Sequence, residues 1–91
     1  MLKVGIVGMG VIGTNIAKAI TAGIPGVTLA GIHVRDPAKA KGYPALSLDA
    51  LIQRSDLVVE AATQAALRLF GPAVLSAGKH LMVLSVGGLV G

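Results

Sequence analysis

The chain of 91 residues has no cysteine and no tryptophan, and its only aromatic side chains are Tyr43 and Phe70. Without cysteine there are no disulfides, no thiolate metal ligands and no cysteine nucleophile, so a reducing compartment, the cytoplasm, is expected. The near-absence of aromatics leaves few faces on which bases could stack. The net charge of +4 is spread along the chain except for Arg35, Lys39 and Lys41. Together these features speak against nucleic-acid binding. Acids are scarce, four in all, and the two histidines, His33 and His80, have no partner at ligand spacing, which gives no metal site. No apolar run reaches the roughly 18 residues of a membrane span. The short apolar start behind Lys3 imitates a secretory leader, but the glycine spacing that follows fits a first strand and turn better.

The composition is rich in aliphatics and alanine, 54% hydrophobic overall, as suits strands buried on both faces. Residues 2–7 form one apolar run and lead into Gly8-Met9-Gly10-Val11-Ile12-Gly13. Gly8 allows a tight strand-to-helix turn, Gly10 lets a pyrophosphate approach the backbone, and Gly13 lets the helix pack against the strand. The helix that starts near Val11 then presents free N–H groups and the positive end of its dipole to phosphate. Ile12, Ile16, Ala19 and Ile20 recur at helical spacing, Gly23 and Pro25 end the helix, and residues 27–34 read as a second strand.

Asp36-Pro37 opens a short helical turn limited by Gly42 and Pro44, and Leu46 is expected in a brief third strand. Ser47 caps a small helix over residues 48–54, and residues 57–59 form a fourth strand. Thr63 caps a helix whose Leu67, Phe70, Val74 and Leu75 share a face; Gly71-Pro72 should kink or divide it. Gly78 ends that helix, and residues 81–86 form a fifth strand. The alternation implies one α/β domain over residues 1–91, a Rossmann-type doubly wound parallel sheet of about five strands in the order 3-2-1-4-5. Ligands bind such sheets beyond the carboxyl ends of the strands, where the strand order reverses.

The cofactor expected there is NADP or NAD. Beside the glycine turn, the site residues are Val34 and Arg35 after the second strand, Ala61, Ala62 and Thr63 after the fourth, and Ser85 after the fifth. Val34 stands where an acid would bind the ribose hydroxyls, so Arg35, helped by Lys39 or Lys41, would hold a 2′-phosphate; alternatively Asp36 accepts from the ribose and NAD is bound. Glu60 ends a central strand; with the following backbone it would line a nicotinamide pocket, but the reading preferred for its side chain is that it pairs with Lys79 or caps neighbouring N–H groups. The histidines read as structural, and no serine has a basic partner that would make it a nucleophile.

The segments GIVGMGVIG at 5–13, DLVVEAAT at 56–63 and GKHLMVLSVGGL at 78–89 together resemble the N-terminal half of L-aspartate dehydrogenases. That family usually carries Val-Glu-Cys-Ala where Val59-Glu60-Ala61-Ala62 stands. The resemblance implies oxidative deamination of L-aspartate to iminosuccinate, then oxaloacetate and ammonia, with the catalytic histidine and the substrate contacts supplied by a second, C-terminal domain. The chain is then a truncated cofactor domain, unable to turn over substrate alone and with apolar surface that favours homo-oligomers. The alternatives are the cofactor domain of another amino-acid dehydrogenase, such as homoserine dehydrogenase, and a non-catalytic module that senses NAD(P).

Overall fold

Strand β1 (Leu2–Val7) runs up the middle of a parallel sheet, with β2 (Val27–His33) on one side and β3 (Leu57–Glu60) on the other. Strand β4 (His80–Val83) lies outside β3, giving the order β2-β1-β3-β4. The computed structural model describes residues 1–84. In register, Ile6 sits between Ile32 and Val59, and all three are buried. Such a central row needs apolar residues with high strand propensity, which is what these runs supply.

Helix α1 (Val11–Gly23) covers one face of the sheet, while α2 (Leu48–Arg54) and α3 (Gln64–Ser76) cover the other. On the first face Val4, Ile6, Ile32 and Val59 meet Ala17 and Ile20. On the second, Val7 and Val58 meet Leu51, Ile52, Phe70 and Val74. The expected caps form: Ser47 Oγ accepts from the Ala50 N–H at 3.2 Å and Thr63 Oγ1 from the Ala66 N–H at 3.0 Å. Each such cap contributes about 1 kcal/mol, less than the roughly 1.5–3 kcal/mol from burying one large aliphatic side chain, so packing holds the helices in place.

Three expectations need correction. The strand at Leu46 shrinks to a single parallel bridge, Ile32 with Ala45. The Pro44 carbonyl accepts from the Ile32 N–H and the Leu46 N–H donates to the Ile32 carbonyl, each at 2.8 Å, but Pro44 has no N–H to extend the ladder and Ser47 already caps α2. Among the described residues the sheet has four strands, and the bridge stands where the outermost strand of the 3-2-1-4-5 order was expected. The buried face of α1 is formed by Gly13, Thr14, Ala17 and Ile20, leaving Ile12 and Ala19 exposed, because the helix makes its closest approach at Gly13. Helix α3 runs undivided past Pro72. Pro72 and Arg68, whose carbonyl loses its usual partner, both lie on the solvent side, where water satisfies that oxygen. Leu75 is also exposed, while Phe70 and Val74 anchor the helix on either side of the proline. The final residues of the expected fifth strand, from Ser85 on, lie outside the described residues.

Ile32 makes no contact with solvent. Ile32→Val is expected to lower stability by roughly 0.5–1.5 kcal/mol, read as a lower urea midpoint with an unchanged slope.

Candidate functional site

Three segments converge at the carboxyl ends of β1, β2 and β3. Gly8 adopts a left-handed conformation, φ +97°, which glycine takes at no steric cost. Its N–H donates to the His33 carbonyl at 2.9 Å, and the Ala61 N–H donates to the Val7 carbonyl at 2.9 Å. The glycine turn is thereby tied to the ends of β2 and β3. A Cβ on Gly8 would lie 2.8 Å from the Ala61 oxygen, and one on Gly13 would strike the Gly8 carbonyl oxygen. A Cβ on Gly10 would meet no protein atom within 4 Å. Two of the glycines are thus filled around by protein, and the third faces open space.

That space lies at the start of α1. Gly10 is the N-cap and gives no side-chain cap, the first turn holds no acid, and the first bond into the helix runs from the Thr14 N–H to the Gly10 carbonyl at 2.9 Å. The amides before Thr14 are left for a ligand. Val11 and Ile12 are 79% and 53% exposed around this opening. Met9 differs: its side chain is buried in the core beneath α1, so it offers only its backbone.

After β2, Val34 packs half-buried against the α1-side core, and Arg35 projects exposed beside it. Asp36 caps a 3-10 turn at Pro37–Ala40, its Oδ1 accepting from the Ala38 N–H at 3.0 Å. Lys41, in a left-handed conformation (φ +56°), sends its ammonium back to the glycine turn. There Nζ donates to the Met9 carbonyl at 3.2 Å and to Thr14 Oγ1 at 2.9 Å, and Thr14 Oγ1 itself donates to the same Met9 carbonyl at 3.2 Å. Among the described residues the Lys41 charge meets only neutral oxygens. Lys41 and Lys39 therefore differ in kind: Lys41 is built into the turn, and Lys39 is exposed on the 3-10 turn.

After β3, Glu60 is fully buried and its Oε2 accepts from the Ala62 N–H at 2.9 Å. Capping a neighbouring N–H is the role it takes; Lys79 donates instead to the Gln53 carbonyl at 3.4 Å. Ala61 backs the glycine turn, and Thr63 caps α3. A cavity of about 130 Å³ opens among Gly8, His33, Arg35, Ala62, Leu69 and Phe70, and it is the apolar neighbour of the glycine turn. Leu69 and Thr14 were not singled out from sequence as parts of this site, and Lys41 was expected there only as a helper of Arg35 at a 2′-phosphate, not on the glycine turn. For Leu69 the available signal was its place on the helix that leaves the central strand. Ser85 lies outside the described residues. Among those described, no group of three His, Asp or Glu side chains is placed to hold a metal, and no helix is long and apolar enough to cross a membrane.

An open glycine, uncapped amides and an adjoining apolar cavity fit a dinucleotide, with the pyrophosphate over Gly10. The family model described as homoserine dehydrogenase, NAD binding domain, matches residues 8–91. The chain belongs to that family. It is 41% identical to the L-aspartate dehydrogenase of Methanocella arvoryzae over 98% of this chain and 36% of that protein. To L-aspartate dehydrogenase 1 of Bordetella pertussis it is 44% identical, over 97% of this chain and 35% of the relative. The chain thus spans about a third of the length of the curated relatives it matches. Among solved structures, scyllo-inositol dehydrogenase from Lactobacillus casei, with bound NAD(H) and scyllo-inositol, superposes with a TM-score of 0.77 at 25% identity, covering 91% of this chain and 27% of that one. UDP-N-acetylglucosamine 3-dehydrogenase from Acidithiobacillus ferrooxidans shares the fold, with a TM-score of 0.77 at 22% identity over 90% of this chain and 28% of that one.

The glycines of this NAD-binding domain separate by experiment. Gly10 has an extended backbone open to any residue, so Gly10→Ala should keep the urea midpoint within about 0.5 kcal/mol of wild type while weakening dinucleotide binding in calorimetry. Gly13→Ala should lower the midpoint as well, because its Cβ has no room.

Proposed function

We propose that residues 1–91 form the NADP(H)-preferring cofactor unit of an oxidoreductase that acts on L-aspartate. The relatives' names support the substrate, and the β2 end supports the cofactor preference. The observation that carries the preference is Asp36. Its carboxylate caps the 3-10 turn through Oδ1, and Val34 is half-buried against the core, which supports a ribose end marked by Arg35 and without a dedicated acid. Arg35 lies at the cavity wall, where its planar guanidinium can cover a purine face and donate to a 2′-phosphate. When bound, the nicotinamide supplies the acceptor for the hydride that leaves the α-carbon of L-aspartate. The residues of this chain hold the pyrophosphate and the adenosine; recognition of the amino acid falls to sequence the relatives carry outside the matched third. A cytoplasmic setting accords with this chemistry.

A charge-assisted hydrogen bond contributes about 1.5–3 kcal/mol, equivalent to roughly tenfold to hundredfold in affinity. Arg35→Ala should therefore raise the Kd for NADP at least about tenfold while changing that for NAD far less, read by calorimetry. Equal losses would remove the 2′-phosphate contact. With L-aspartate and NADP the chain alone should give no rise in absorbance of reduced nucleotide; a rise would place the catalytic group within these 91 residues.

Self-association is the second element of the proposal. Met82 and Val83 on the outer strand β4 are 46% and 36% exposed, and Leu75 on α3 is 62% exposed. Among the described residues β4 is an edge strand, and a strand edge bearing apolar side chains invites pairing. Light scattering should give a mass above that of one chain, and a monodisperse monomer would count against it.

A further inference from the structure

His33 stands along the cavity wall with one ring nitrogen already held by the protein. Its Nδ1 lies 2.9 Å from the Leu46 carbonyl oxygen. A carbonyl only accepts, so Nδ1 carries the proton, and in the neutral ring Nε2 is left as an acceptor. Nε2 points away from Leu46 and has no partner among the described residues. The ring is half-buried at the wall of the cavity shared by Gly8, Ala62, Leu69 and Phe70. The charged side chain of that wall, Arg35, can only donate.

We propose that His33 reads the base of the dinucleotide, its Nε2 accepting a hydrogen bond from the exocyclic amino group of adenine. This rests on the reading of the cavity as the adenosine end of the cofactor site. The apolar walls take the faces of any purine and do not distinguish one from another. An acceptor lone pair does distinguish them: adenine presents an N–H donor at its 6-position, whereas hypoxanthine presents a carbonyl oxygen, which sets two acceptors against each other. The bond from Nδ1 to Leu46 fixes the ring orientation in advance, so the selectivity comes from a side chain that need not reorganise on binding.

The test titrates the wild-type chain with NADP and with the analogue in which hypoxanthine replaces adenine, then repeats both titrations with His33→Phe and His33→Gln. Wild type should bind NADP at least about tenfold more tightly than the analogue, on the scale of an acceptor left facing an acceptor. His33→Phe should bind the two alike, and His33→Gln, which keeps an acceptor oxygen, should regain part of the preference. In ¹⁵N spectra the unprotonated nitrogen of His33 should shift on adding NADP and not on adding the analogue. Equal wild-type affinities, or discrimination that survives in His33→Phe, overturns the role of His33 while the cofactor site stands. Failure of the wild type to bind either dinucleotide overturns both. The wild-type comparison and the ¹⁵N shift decide the matter even if the phenylalanine variant does not fold.

Discussion

Helix α1 begins where it does because Gly13 lays its Cα against the Gly8 carbonyl, an approach that any side chain would prevent. That one backbone contact brings the helix start over the carboxyl end of the central strand and holds it against Ala61 from the next crossover. Everything offered to a phosphate, the uncapped amides and the helix dipole, takes its position from there. The core on the α1 face begins at the same place: Thr14, Ala17 and Ile20 continue the buried line that Gly13 starts.

Much of the architecture was legible because its signals are local. The turn at Gly8–Gly13, the caps Ser47 and Thr63, and the short turn after Asp36 each depend on residues within a few positions of one another, and all formed where expected. What escaped depends on contacts distant in sequence. The periodicity of α1 pointed to Ile12 and Ala19 as buried, but the closest approach at Gly13 rotates the helix and turns both outward. Pro72 signalled a break, yet the packing of Phe70 and Val74 keeps α3 whole, since the lost hydrogen bond falls on the wet side. Leu46 had the character of a strand residue, but only the tertiary position of Pro44 and Ser47 shows that no length was left for one.

The candidate site divides along the same line. Its glycines, Arg35 and the Ala61–Thr63 connection stand in a recognisable order along the chain. Lys39 and Lys41 looked interchangeable in sequence as helpers of Arg35, and the structure gives each its own surroundings: Arg35 at the cavity wall, Lys39 in solvent, Lys41 folded back onto the turn. Asp36 likewise had two possible uses, and one of them, capping, is seen in its hydrogen bond to the Ala38 amide.

The bonds from Lys41 to Met9 and Thr14 join stretches of chain 32 and 27 residues apart. Through them the connection after β2 and the connection after β1 form a single body instead of two independently moving loops. A ligand long enough to lie across both would find them already in register, so the entropy lost in ordering one loop against the other belongs to folding and is absent from association. The same ammonium also adds positive charge beside the glycine turn.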